Sequence, residues 1–330
     1  MIVSYDTIMK PPYDITLAIV DLLTSIAEKL GYITAAQLEA PKAALRKQNR
    51  IKTIQASLEI EGNTLNIDQV TDILENKRVI GPQKDILEVQ NAIKVYEQFD
   101  TWKPISQASF MQAHALLMEG LIPKAGKLRT TSVGIAKGKT LTHIAPPASM
   151  LKALLNELFT YLQKDKDPIL IKSCVFHYEL EFIHPFTDGN GRMGRLWQNV
   201  ILASQYPIFA YLPVESIIRQ KQKEYYAALA QSDKKGNCTV FIEFMLAVID
   251  EALAELMLTQ RQPLTSVERI ELFIKKYPND NFTRKDYMQV HQYISAPTAS
   301  RDLKEAIALG IITKYGDKNL TNYKIKKAKT

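Results

Sequence analysis

Apolar residues recur at three-and-four spacing through nearly all of the first 260 positions, and a chain with that period folds into packed helices. Between Asp14 and Leu30 the stripe runs Ile15, Ala18, Ile19, Leu22, Leu23, Ile26, Ala27 and Leu30, and Gly31 stops it. The same spacing predicts helices over 43–61, with Gly62-Asn63 as the stop, and over 67–77, 84–99 and 106–118. Further helices are expected over 147–163, 167–183, 192–206, 217–230 and 239–258. One stretch, Lys127–Pro147, departs from the period. Its runs from Thr130 to Ile135 and from Thr140 to Ile144 are β-prone, and Lys137-Gly138-Lys139 between them has turn chemistry, so a hairpin is expected there.

At 330 residues the chain has room for two or three domains. A composition of 46% hydrophobic and 23% charged residues excludes disorder as its main state. No apolar run approaches the roughly 20 residues of a membrane span, and the first residues lack a basic segment followed by an apolar one, so a cytoplasmic protein without a membrane anchor is expected. Cys174 and Cys238 are the only cysteines, too few for a disulfide framework or a four-thiolate zinc site. The net charge of +7 is uneven: Leu264–Thr330 holds 13 basic against 7 acidic residues, and the other 263 positions hold 29 against 28. After Arg261-Gln262-Pro263, which reads as a linker, three helical segments (266–276, from about Arg284, and after Ser295-Ala296-Pro297) lead to β-prone runs on either side of Gly316-Asp317-Lys318-Asn319. That order resembles a winged helix-turn-helix. The expected division is an N-terminal helical region (1–100), a core (101–262) and a small C-terminal winged-helix domain (264–330).

Chemistry concentrates in His184-Pro185-Phe186-Thr187-Asp188-Gly189-Asn190-Gly191-Arg192-Met193-Gly194-Arg195. The preceding helix, with Asp167 as its expected N-cap, is apolar on most sides and therefore buried. Pro185 disfavours helical geometry at His184, which places the imidazole at the end of a rigid element. Phe186 is an apolar residue in a polar turn and reads as an anchor to the core. Asp188-Gly189-Asn190-Gly191 feeds straight into a helix, and such a turn presents free N–H groups at the positive end of the helix dipole. Arg192, Arg195 and Asn199 fall on one face of that helix, and two guanidinium groups beside an anion site suit a polyphosphate. Asp188 offers a carboxylate for Mg²⁺, and His184 a general base. The combination implies phosphoryl or nucleotidyl transfer.

The same twelve residues resemble the signature of the Fic family, HPFx(D/E)GNGRxxR, with every fixed position filled. The resemblance implies a mainly α fold, a Fic-type helical bundle with a β-hairpin flap, and transfer of AMP from ATP to a Ser, Thr or Tyr hydroxyl of a target protein. Carried over by position, His184 is the base, Asp188 binds Mg²⁺, and Gly189, Asn190 and Gly191 form the anion hole. Arg192 and Arg195 hold the outer phosphates, with Met193 and Gly194 between them. The hairpin corresponds to the flap, with Arg129, Val133 and His143 as its candidate residues. Upstream, Ser57-Leu58-Glu59-Ile60-Glu61-Gly62 is similar to the family's inhibitory motif, (S/T)xxxE(G/N). Glu61 lies three residues after Leu58 and seven after Ile54, so it shares a face with apolar residues, and a buried carboxylate needs a cation or a proton. Ser57, one turn earlier, can orient it. The resemblance names the cation as Arg195 and places Glu61 beside the nucleotide, which makes about 43–62 an N-terminal inhibitory helix.

Other readings stay open at this stage. Removal of AMP, or transfer of another nucleotide or phosphate group, would use the same residues. Tyr225-Tyr226 either stacks on a base, through Tyr226, or packs. His177 and Glu181 lack a third metal ligand with suitable spacing, so His177 reads as a core histidine, and Cys174 on the same helix as buried. His114 and His291 have no constellation around them. The basic C-terminal segment is a DNA-binding element or a protein-interaction module, with Asp302 and Glu305 on the candidate recognition helix counting against DNA. A nucleotide-sensing DNA-binding regulator is therefore the rival to an enzyme. Partners expected are ATP, a target protein (the chain itself being one candidate), DNA at 264–330 as the alternative, and a second copy of the chain as a homodimer.

Overall fold

A computed structural model describes residues 12–35, 43–131, 134–137, 140–260, 265–277, 281–291, 294–316 and 321–326. The chain divides into two compact units, Met1–Met257 and Leu258–Thr330. The expected break after residue 100 falls inside the first unit, within a short 3-10 turn at Phe99–Thr101. No helix of the described residues is long and apolar enough to cross a membrane.

The first unit is a helical assembly. It comprises α1 (Leu17–Ala35), α2 (Ala43–Ile60), α3 (Ile67–Leu74), α4 (Gln83–Glu97) and α5 (Gln107–Leu117), then the hairpin β1 (Gly134–Lys137) and β2 (Thr140–Ile144). It continues with α6 (Leu151–Lys164), α7 (Ile169–Ile183), α8 (Asn190–Ala203), α9 (Val214–Gln220), α10 (Gln222–Lys235) and α11 (Thr239–Gln260). α7 and α8 pack against each other at the centre, and α2 lies along α9. Aromatic rings fill the middle: Phe110 meets Phe159, Phe176, Phe186 and Trp197 at centroid distances of 5.6, 6.1, 5.5 and 5.1 Å. The predicted hairpin forms, antiparallel, with Ile135 opposite His143 and a bulge between Ile135 and Ala136.

Boundaries differ from the sequence reading in instructive ways. α7 begins at Ile169 with Pro168 as its N-cap, so Asp167 does not cap it. The Asp167 carboxylate instead accepts the Tyr161 hydroxyl at 2.8 Å. The single helix expected over 217–230 is two. Lys221 leaves helical geometry (φ −106°, ψ 33°) between α9 and α10, and Gln222 Nε2 then reaches the Ile60 carbonyl at 2.9 Å. No glycine or proline marks that break.

The second unit contains α12 (Ser266–Lys276), β3 (Asn281–Phe282), α13 (Arg284–Val290), α14 (Ala296–Ala308), β4 (Ile312–Tyr315) and β5 (Asn322–Ile325). Its sheet is antiparallel in the order β3-β5-β4. Thr265 and Thr283 begin α12 and α13 with capping boxes to Glu268 and Asp286. Phe273, Phe282, Tyr287, Leu303 and Ile312 form its core.

Candidate active site

α7 is buried on nearly every side and ends at Ile183. His184 follows in the left-handed region (φ 48°, ψ 59°), a conformation costing a non-glycine residue on the order of 1–2 kcal/mol. Pro185 prevents the helix from continuing, and Arg129 holds the result. Its Nε donates to the His184 carbonyl at 2.7 Å, and its Nη2 to the carbonyls of Ile183 (3.3 Å) and Pro146 (2.6 Å). Its Nη1 donates to Thr131 O at 2.7 Å. A buried guanidinium thus caps the C-terminus of α7, where carbonyls lack partners and the dipole favours a cation. Arg129, expected in the flap, lies before β1 and ties both flanks of the hairpin to the end of α7. Val133 and the His143 side chain lie outside the described residues; the His143 backbone is in β2.

The loop after His184 is pinned from within. Phe186 is fully buried and stacks on His114 with centroids 3.5 Å apart and planes within 6°. The Asn190 side chain pairs with both peptide groups of Phe186, at 2.9 and 3.0 Å. His114 Nδ1 accepts the Gly126 N–H at 2.9 Å, so the ring proton is on Nε2 and is donated to the Asp188 carbonyl at 3.0 Å. Burial pushes the His114 imidazole down to about 4, which keeps it neutral. The sequence offers His114 no constellation; the structure makes it a strut under the loop, with a partner 74 positions away. Gly189 caps α8 at φ 87°, and a Cβ there would lie 2.7 Å from Met118 Sδ.

The amides of Asn190, Gly191 and Arg192 open α8 and have no carbonyl a turn back to receive them, which makes an anion site. The Glu61 carboxylate lies over it: a Cβ on Gly191 would stand 2.5 Å from Glu61 Oε1. Arg195, 2% exposed, donates from Nη2 to Glu61 Oε1 at 2.7 Å and to the Ser57 carbonyl at 2.9 Å, and from Nε to the Ser57 hydroxyl at 3.1 Å. Burial opposes the Arg195 charge, and the Glu61 carboxylate outweighs it and holds the guanidinium protonated. Its Nη1 has no hydrogen-bond partner among the described residues. Gly62 (φ 92°) makes the turn out of α2.

The expected common face of Arg192, Arg195 and Asn199 comes apart into three directions. Arg192 turns away to Glu88 (3.0 Å) and Asp188 (2.9 Å), and Glu88 in turn accepts Asn63 Nδ2 at 2.8 Å. Asn199 donates to Glu215 at 2.7 Å. Arg192 therefore does not border the cavity; a buried carboxylate from α4 holds it instead. Met193 lies in the core. Gly194 packs against the His177 ring, and a Cβ on it would stand 2.7 Å from His177 Cδ2.

A cavity of about 690 Å³ opens in front of these groups. Of the residues singled out in the sequence, His184, Asp188, Gly189, Asn190, Gly191, Arg195, Glu61 and Tyr226 border it, and Glu181, Thr187, Lys223, Tyr225 and Asp233 join them. Asp188 Oδ1 accepts the Gly189 amide at 2.6 Å as well as Arg192, and the side chain remains about half exposed. One such carboxylate fits Mg²⁺ that takes its other ligands from substrate phosphates and water. Among the described residues no three His, Cys, Asp or Glu side chains form a metal cluster. His177 is a core residue, bonded to Gln198 and Tyr225. Cys174 is buried, and burial pushes its thiol up to about 12.

The Fic/DOC family model matches residues 104–202. Protein adenylyltransferase Fic of Nematostella vectensis is 29% identical over 241 residues, covering 68% of this chain and 52% of that protein. Protein adenylyltransferase fic-1 of Caenorhabditis elegans is 34% identical over 202 residues, covering 56% and 37%. The chain thus spans about half or less of the length of these curated relatives. Among solved structures, Fic-1 of C. elegans (residues 134–508) shares the fold at a TM-score of 0.62 and 21% identity over 74% of each chain. The crystal structure of a Fic family protein from Desulfovibrio desulfuricans G20 aligns at a TM-score of 0.74 and 40% identity, over 98% of this chain and 100% of that one. With a relative 40% identical and matched along its whole length, and with His184, Asp188 and Arg195 of the signature around one cavity, the chain belongs to the Fic family.

Proposed function

We propose that the chain is a protein adenylyltransferase that moves AMP from ATP to a Ser, Thr or Tyr hydroxyl of a target protein, and that Glu61 restrains it. One observation carries this reading: the helix N-terminus suited to a phosphate is covered by the chain's own Glu61 carboxylate, 2.7 Å from Arg195. A carboxylate there uses the charge complementarity that a triphosphate needs, so the two compete.

In the productive state His184 accepts the proton of the target hydroxyl, whose oxygen attacks the α-phosphorus. The bond to the oxygen bridging α and β breaks, and pyrophosphate leaves. The α8 amides and Arg195 offset the charge on the phosphates. Asp188 would hold Mg²⁺, which when bound neutralises phosphate charge. The Arg129 and His114 contacts fix the backbone on either side of His184–Asp188, so proton acceptor and anion site keep their spacing.

The test is intact-mass measurement after incubation of Glu61→Gly with ATP and Mg²⁺, together with transfer of labelled AMP from ATP to lysate proteins. Transfer by Glu61→Gly, lost in the double variant with His184→Ala, is expected. No transfer by Glu61→Gly would overturn the reading.

For Leu264–Thr330 we propose a winged-helix element that binds duplex DNA. Asp302, on the candidate recognition helix, is buried in a two-bond pair with Arg269 (2.6 and 2.7 Å) and accepts Tyr287 Oη at 3.1 Å. Glu305 is bonded to Ser266. The Asp302 charge is thereby answered inside the unit, while Glu305 stays exposed on α14 together with Ser300, Arg301 and Lys304. Binding that weakens steeply with salt supports this, and no binding at low salt overturns it.

A further inference from the structure

We propose that Glu181 enters the cavity as a neutral carboxylic acid, and that this neutrality sets the affinity of the α8 anion site for a polyphosphate. The inference rests on the nucleotide reading above and concerns a residue outside the signature.

The protonation state follows from counting donors along one buried chain. Gln198 directs its amide nitrogen at Cys174 Sγ (3.5 Å) and its Oε1 at His177 Nδ1 (2.7 Å). An oxygen at that distance requires a proton on Nδ1. Complete burial pushes the His177 imidazole down to about 3, with Arg195 adding to the effect, so the ring is neutral and Nε2 is an acceptor. Tyr225 Oη lies 3.0 Å from that Nε2 and gives it its single proton. The same Oη lies 3.3 Å from Glu181 Oε1. With the phenol proton held by His177, a Glu181 carboxylate would face Tyr225 Oη without a donor, whereas a carboxylic acid supplies its own.

The surroundings agree with the count. Glu181 is set among Glu61 from the turn after α2, Arg195 from α8, Tyr225 and Asp233 from α10, and His177 on its own helix at 3.9 Å. Burial first, and the Glu61 carboxylate next, push the Glu181 carboxyl up to about 7. Oε1 of Glu181 comes within 3.3 Å of a Cβ built on Gly191, so it sits at the first turn of α8 beside Arg195 and Glu61. As an acid, Glu181 leaves Arg195 matched by the Glu61 carboxylate alone. As a carboxylate, it would join Glu61 over a single guanidinium and oppose any phosphate drawn to the helix N-terminus.

The experiment measures ATP binding to the full chain from pH 5.5 to 9 for the wild type and Glu181→Gln, together with a ¹³C-carboxyl NMR titration of glutamate-labelled wild type and the same variant. Taking the ratio of the two Kd values at each pH removes the titration of ATP and of His184, common to both proteins. The expected ratio is flat below neutrality and rises above it by up to about tenfold per pH unit. The carboxyl signal missing from Glu181→Gln is expected to titrate near neutrality. A ratio that stays flat to pH 9, or a Glu181 signal that titrates in the ordinary carboxylate range, overturns the proposal. Absence of ATP binding at every pH in both proteins overturns the nucleotide reading instead, and the NMR titration still decides the protonation state.

Discussion

Arg195 holds Ser57 twice, through the hydroxyl at 3.1 Å and through the carbonyl at 2.9 Å. The carbonyl is the informative contact. At the end of α2 the Glu61 amide turns to Leu58 O at 3.0 Å and the Gly62 amide to Glu59 O at 2.9 Å, so Ser57 O has lost its helical donor. Arg195 takes that place. The arginine is therefore a cap for α2 as well as the partner of Glu61, and removing the Glu61 carboxylate does not release it from α2.

Glu61→Gly should raise AMP transfer at least about tenfold, because a charge-assisted bond at an anion site is worth roughly 1.5–3 kcal/mol. Ser57→Ala keeps the carbonyl contact and should raise it only about two- to threefold. Labelled-AMP transfer by the two variants checks this. Equal activation would show that the hydroxyl, rather than the carboxylate, holds the resting state.

Glu88→Ala should destabilise the first unit by about 3–5 kcal/mol, because it leaves Arg192 buried with Asp188 alone and leaves Asn63 Nδ2 only the Asp85 carbonyl as acceptor. Thermal unfolding should fall by about 10 °C at the roughly 2–4 °C per kcal/mol of a unit this size. A drop of under about 2 °C would mean that Arg192 finds water instead.

His114→Phe keeps a ring on Phe186 but leaves the Asp188 carbonyl and the Gly126 amide unpaired. In the Glu61→Gly background its transfer rate should fall about tenfold, while stability falls by only about 1–3 kcal/mol. Transfer assays beside calorimetry separate the two effects, and an unchanged rate would reduce His114 to a packing residue.

Glu215 is buried, accepts Asn199 at 2.7 Å and has no partner on Oε2 among the described residues. Burial pushes its carboxyl up to about 7. A carboxyl raised in the folded state binds its proton more tightly there, so stability is fully present below the unfolded value of about 4.5 and is lost as pH rises through about 7. Glu215→Gln should therefore raise the unfolding temperature at pH 8 by about 5 °C and leave it unchanged at pH 4. Equal shifts at both values would rule out the ionisation.

Much of this protein can be read locally. The twelve residues from His184 to Arg195 carry their own geometry: a proline that ends one helix, an apolar anchor, and glycines that start the next. Glu61 is legible because the three- and seven-residue steps to Leu58 and Ile54 place it on a buried face. Other features depend on partners far along the chain. Arg192 has the same sequence context as Arg195, yet it faces Glu88, 104 positions upstream. His114 has no patterned neighbours, Lys221 has no breaker residue, and Asp302 has the pattern of a surface charge until Arg269 is brought beside it.

By itself the sequence determined the helical class, the hairpin, the compact C-terminal unit and the order of groups in the motif, because periodicity, capping and turn chemistry act over a few residues. Only the tertiary structure decided which arginine borders the cavity, which histidine supports the loop and which glutamates are buried. Those outcomes depend on burial and on the one donor or acceptor that packing leaves within 3 Å, and neither is a property of a short stretch of chain.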